Sequence, residues 1–160
     1  MEKLETRFKK FISRKPNRYS YFIQNGLVYC CGNVFITDED LIKGKLPFEF
    51  GEVYGNFDCS GCKNLTSLEG CPKEVGGDFD CNYCCSLNSL VGSPKKVGGE
   101  FSCVYCDSLN SLFGSPQEVC GDFNCRHCKK LTSFVFSPDY IGGIIRVSED
   151  MNLDVDVDVD

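Results

Sequence analysis

Eight cysteines fall into four Cys-x-x-Cys pairs: Cys59 with Cys62, Cys81 with Cys84, Cys103 with Cys106, and Cys125 with Cys128. Thiolates at this spacing are zinc ligands, and two pairs complete a tetrahedral site. The columns these residues occupy argue for a different role. The first continues as Thr37 before the array and Val147 after it, both close to Cys in size; the second continues as Asp40 and Asp150, which can bond turn backbone. A packing ladder tolerates such replacements, whereas a metal needs thiolates at fixed places. The sequence therefore predicts two internal columns of reduced thiols with no cofactor, and keeps metal binding by these eight cysteines as the alternative. Cys30, Cys31, Cys71, Cys85 and Cys120 lie off the columns, and Cys71 and Cys85 are expected at the surface.

Other chemistry is sparse. His127 is the single histidine, so there is one general base of suitable ordinary pKa. Asp58 and Asp80 share a column and could act as paired carboxylates, but Ser102 and Asn124 continue it, as a solvated surface row would. No glycine-rich phosphate loop is present, and the Gly-Gly pairs suit tight corners or positive φ. Enzymatic activity is not expected.

The element that positions all these residues is a repeat. Gly55 opens GNFDCSGCKNLTSLEGCPKEV, Gly77 opens GDFDCNYCCSLNSLVGSPKKV, Gly99 opens GEFSCVYCDSLNSLFGSPQEV and Gly121 opens GDFNCRHCKKLTSFVFSPDYI, a period of 22 residues. Phe57, Phe79, Phe101 and Phe123 form one column, preceded by Phe35 and followed by Ile145. Val53 to Ile141, Leu65 to Leu153 and Leu46 to Phe134 form three more. Phe79 and Cys81 alternate with Asp78, Asp80 and Asn82, which predicts a short strand per repeat. The rest is an extended return broken by Gly92 and Pro94, with no helical spacing. One coil cannot bury its own apolar residues, so the coils must stack. The expected fold is mainly β, a parallel-strand solenoid.

The pattern Gly-x-x-Phe-x-Cys-x-x-Cys-x-x-Leu-x-Ser-Leu resembles a leucine-rich repeat, with Phe and Cys in the strand positions and the second Cys where that family carries Asn or Cys. The 22-residue length and the Gly-x-Pro return are similar to the short bacterial class and to Cys-rich arrays of phages and large viruses. The resemblance implies a leucine-rich-repeat solenoid with extended return segments, and a phage or viral setting.

Leu4, Phe8, Phe11 and Ile12 recur at helical spacing up to Pro16, and two apolar runs flank Asn25-Gly26. An N-terminal amphipathic helix and a β-hairpin are therefore predicted over residues 1–32 as a cap. The solenoid is expected over 33–153, with four full repeats over 55–142 and a degenerate coil on either side, followed by an acidic tail over 154–160. Residues 1–18 carry a balance of +5 and the remaining 142 carry −11, within a net charge of −6. The basic helix reads as a solvated cap face. Thirteen cysteines, with no apolar export segment behind the basic residues of MEKLETRFKK, predict a reducing cytoplasm, that of a host cell or a virion if the viral resemblance holds. Neither nucleic acid nor a membrane is expected as a partner.

A protein partner is expected on the outward side of the strands. Its columns are Asn56, Asp78, Glu100 and Asp122; Asp58, Asp80, Ser102 and Asn124; Ser60, Asn82, Val104 and Arg126; and Gly61, Tyr83, Tyr105 and His127. The first two are mainly acidic. The last two change along the array towards Val, Tyr, Arg and His, and Tyr and Arg are favoured interface anchors. Asp80, Asn82, Tyr83, Ser102, Val104, Tyr105, Asn124, Arg126 and His127 are the candidate contacts. The alternative is a metal-binding, structural or virion protein built on the cysteine columns and on end-to-end association.

Overall fold

The structure, a computed structural model, describes residues 1–15, 20–149 and 151. Helix α1 (Leu4–Ser13) is followed by strands β1 (Tyr21–Gln24), β2 (Leu27–Cys30), β3 (Val34–Phe35), β4 (Phe50–Val53) and β5 (Phe57–Asp58). Each later coil then adds two strands of two residues: β6 (Glu74–Val75) and β7 (Phe79–Asp80), β8 (Lys96–Val97) and β9 (Phe101–Ser102), β10 (Glu118–Val119) and β11 (Phe123–Asn124), β12 (Tyr140–Ile141) and β13 (Ile145–Arg146). The chain is a solenoid of 22-residue turns with two parallel sheets. One runs β1-β2-β4-β6-β8-β10-β12 and the other β3-β5-β7-β9-β11-β13. The return segment thus ends in a second strand that the sequence reading did not resolve, because a two-residue strand is too short to display alternation.

The expected columns are stacked layers of one core. Phe57, Phe79, Phe101 and Phe123 are fully buried, with successive ring centroids 5.6, 5.1 and 5.4 Å apart and planes within 6° of parallel. Leu65, Leu87, Leu109 and Leu131 form a second layer, and Leu46, Leu68, Leu90, Leu112 and Phe134 a third. Each fully buried Leu or Phe contributes about 1.5–3 kcal/mol, which only the neighbouring coils make available. Leu153, Asp150 and the acidic tail lie outside the described residues.

The first coil departs from the expected register. Val28 pairs with Phe50, but Cys30 pairs with Val53, so β4 carries one extra residue as a bulge. Gly51 sits in that bulge because a Cβ there would meet the Tyr29 ring at 2.3 Å. Downstream, Val34 rather than Phe35 pairs with Phe57, and Phe35 pairs with Asp58. A one-residue slip exchanges the faces of a strand. Val34 and Ile36 are buried where Phe35 and Thr37 were expected in the Phe and first Cys columns.

Phe8 and Phe11 of α1 are buried on the first coil, with the Phe8 ring 5.1 Å from Phe48 and 4.8 Å from Tyr21. Glu5 and Lys9 form an i,i+4 ion pair at 2.9 Å. β1 and β2 are an antiparallel hairpin turned by Asn25 and Gly26 at φ 52° and 76°, and β2 continues as a parallel strand beside β4. Helix and hairpin together cover the N-terminal end of the stack. Pro16, the predicted helix stop, lies outside the described residues.

Candidate functional site

The strands are short because their ends are tied off by side chains. Asp80 Oδ1 accepts the Asn82 backbone N–H at 2.8 Å, and Asp58 Oδ1 accepts both the N–H and the hydroxyl of Ser60 at 2.8 and 2.6 Å. Such turns compete with continued strand. Asn82 Oδ1 reaches the next coil, accepting from the Val104 N–H at 2.6 Å and the Ser102 hydroxyl at 2.7 Å. In the coil after that, Arg126 Nε donates to Asn124 Oδ1 at 3.2 Å.

The residue that follows this turn is left-handed in each of the four full repeats: Gly61 at φ 75°, Tyr83 at 60°, Tyr105 at 57° and His127 at 59°. Alternation continued from Phe79 and Cys81 would point Tyr83 inward; the left-handed turn directs it outward. The three rings stack along the outside of the solenoid. Tyr83 and Tyr105 have centroids 5.0 Å apart at 11°, and Tyr105 and His127 are 4.6 Å apart at 14°. Tyr83 is 51% and Tyr105 40% exposed. The His127 N–H donates to Ser148 Oγ at 2.8 Å, which anchors the last rung to the terminal coil.

Two adjoining grooves flank this ladder. One, of 340 Å³, is lined by Asp80, Asn82, Tyr83, Ser102, Val104, Asn124 and Arg126, with Asp78 and Glu100 on its margin. The other, of 690 Å³, includes Tyr105, Arg126 and His127 and runs towards Ser148 and Glu149. All nine residues singled out in the sequence are thus brought together, with Arg126 common to both grooves. Ser102 and Asn124 differ from expectation: each is only 7% exposed, so the row expected to be solvated is a sunken floor. Burial raises the Asp80 carboxyl above the usual range, and nearby Asp58, Glu100 and Asp78 add to this against the lowering bond from Asn82.

The acidic column at the strand start has a structural task that the sequence reading missed. Asn56 Oδ1 accepts the Asp78 N–H at 2.9 Å, Asp78 Oδ1 accepts the Glu100 N–H at 2.8 Å, and Asp122 Oδ1 accepts the Ile144 N–H at 2.8 Å. A Cβ on Gly77 would lie 2.0 Å from Asn56 Oδ1, and one on Gly99 2.0 Å from Asp78 Oδ1. These corner glycines serve close approach, not the positive φ that was one expectation. The recurring Gly followed by Asn or Asp was the available signal.

The cysteines form a comparable ladder inside. The thiols of Cys84, Cys106 and Cys128 donate to the carbonyls of Cys59, Cys81 and Cys103 in the preceding coil at 3.3, 3.1 and 3.0 Å, and Cys62 donates to Ile36 at 3.5 Å. All eight are buried. Hydrogen bonding with Cys84, Cys106 and Cys128 of the other column, together with burial, pushes the Cys59, Cys81 and Cys103 thiols well up, and burial raises Cys62 and Cys125 to about 12. Among the described residues, no three His, Cys, Asp or Glu side chains converge as a metal site requires. Cys71 is 8% exposed rather than at the surface, because the return segment lies against the core; Cys85 is half-buried, and Cys31 and Cys120 are exposed.

Among the described residues, no helix is long and apolar enough to cross a membrane. Compared with protein-family models, with curated proteins and with solved structures, the chain matches none.

Proposed function

We propose that this chain is a non-enzymatic recognition module that binds a protein partner through the outward strand face, centred on Tyr83, Tyr105, Arg126 and His127. The observation that carries this reading is the exposed aromatic ladder on left-handed backbone. Gly61 meets the same backbone requirement without a side chain. Tyr83, Tyr105 and His127 each accept about 1–2 kcal/mol of conformational cost, and the two tyrosine rings remain about half exposed. Ring stacking returns about 0.5–1.5 kcal/mol per contact, so stability alone gives little reason to prefer them to glycine. Tyrosine and arginine in a partly apolar centre with a charged margin suit a protein interface, and the acidic margin disfavours a phosphate backbone.

The coils themselves are read as a short leucine-rich repeat in which the Cys84, Cys106 and Cys128 thiols do the backbone bonding that the resemblance assigns to Asn or Cys. The thirteen free thiols suit a reducing cytoplasm, and the proposed setting is a phage- or virus-infected cell. The test is to capture the partner from such a cell and compare dissociation constants. Tyr105→Ala and Arg126→Ala should each weaken binding about fivefold or more, ~1 kcal/mol, while Lys73→Ala and Lys95→Ala on the return side leave it unchanged. The reverse pattern moves the interface to the other face.

A further inference from the structure

The ladder of exposed rings lacks its first rung. Tyr83 stacks on Tyr105 through one face, so its other face looks towards the preceding coil, where the same column holds Gly61. A Cβ on Gly61 would have nothing within 4 Å. There is room over Tyr83 for a flat group from outside the chain.

The strand face before that opening is rich in carboxylates, while the exposed Lys63 follows Gly61 by two residues. Asp58 and Asp80 are register partners in adjacent strands, three residues before Gly61 and Tyr83. Asp78, Asp80 and Glu100 line the groove beside Tyr83, against the single cation Arg126 at its far end. Asp80 Oδ1 is occupied by the Asn82 N–H, and its Oδ2 makes no hydrogen bond among the described residues.

We infer that the partner enters with an arginine-bearing segment, its guanidinium stacked on the open face of Tyr83 and donating to Asp80. This rests on the recognition reading above and names the chemistry of the partner. A guanidinium is both flat and cationic, so it extends the stack and bonds the carboxylate together. An ammonium supplies only the charge and a neutral ring only the stack. A cation placed there also relieves the repulsion that Asp58, Asp78 and Glu100 impose on Asp80.

The probes are four capped peptides in one Gly-Ser frame that differ only in carrying two Arg, two Lys, two Tyr or two Glu residues, titrated while the Gly61 and Tyr83 resonances are followed by NMR. The Arg peptide should bind at least about fivefold tighter than the Lys and Tyr peptides, and the Glu peptide should not bind. Tyr83→Gly, which puts at this φ the residue that Gly61 already is, should fold and lose the preference for Arg over Lys. Asp80→Asn should weaken the Arg peptide about fivefold. Arg and Lys peptides that bind equally, or not at all, overturn the inference, as does an Arg preference that survives Tyr83→Gly. A native partner that needs Tyr105 and Arg126, found alongside no Arg preference, removes this inference alone; a native partner bound through Lys73 and Lys95 removes the recognition reading itself.

Discussion

At Tyr105 the usual ranking of glycine and alanine should invert. The residue sits at φ 57° with its ring between Tyr83 at 5.0 Å and His127 at 4.6 Å. Either truncation removes two stacking contacts of about 0.5–1.5 kcal/mol each. Alanine keeps the left-handed strain of about 1–2 kcal/mol, whereas glycine removes it. Glycine gives back about 0.4–1 kcal/mol through the greater freedom of its unfolded chain. The balance puts Tyr105→Gly ahead of Tyr105→Ala by up to about 1.6 kcal/mol, with Tyr105→Ala below the native protein. The assay is urea unfolding of the two variants, with Glu74→Gly and Glu74→Ala as the control pair. Glu74 lies in β6 and is not among the positive-φ residues, so alanine must win there. Alanine ahead of glycine at Tyr105 by the margin seen at Glu74 would show that the backbone there is not strained, and would remove the strain that favours a binding role.

Cys106→Ala leaves the buried Cys81 carbonyl without its thiol donor and should cost about 1–3 kcal/mol; Cys106→Ser keeps a donor and should cost less, and a chelator should not move the native unfolding midpoint. Serine no better than alanine, or unfolding by the chelator, would refute the ladder. Asp80→Asn should raise the melting temperature at pH 7, since Asn keeps the Oδ1 acceptor for Asn82 that Asn124 supplies towards Arg126 in its own coil. Because the folded carboxyl lies above its unfolded value, the folded state binds the proton more tightly, and Asp80 weakens the fold progressively as pH rises from the unfolded value of about 3.9 through the folded one. The gain from Asp80→Asn should therefore vanish in acid, and a variant less stable than the native protein at pH 7 would contradict the cause given for the shift.

The period of 22 made the layers of Phe, Leu, Val and Cys legible, because stacked coils translate a sequence interval directly into a neighbour in space. The candidate contacts were legible for the same reason, including Tyr83 and His127 in one column with Gly61. Two kinds of information were not carried by that interval. The bulge at Gly51 is set by a fit against Tyr29, a residue of the hairpin outside the repeat, so the shift from Phe35 to Val34 had no periodic signature. The roles of Asn56, Asp78 and Asp122 were hidden because a carboxylate facing solvent and one accepting the next coil's N–H look alike in a string of letters. Glycine before them was the clue, since the acceptor lies where a methyl group would have been.

Backbone bonds at the same corners link residues one period apart: the N–H of Gly77 donates to Gly55, Gly99 to Gly77, Gly121 to Gly99 and Gly143 to Gly121. A coil consequently meets its neighbours with the same joint at both ends. Genetic gain or loss of one 22-residue unit would join like to like, lengthening or shortening the molecule by the spacing between strands, ~4.8 Å, without disturbing the helical lid at the start. The protein is thereby built as a ruler with interchangeable divisions. On such a ruler the ring-bearing rungs Tyr83, Tyr105 and His127 can be counted out to match the length of whatever lies along them.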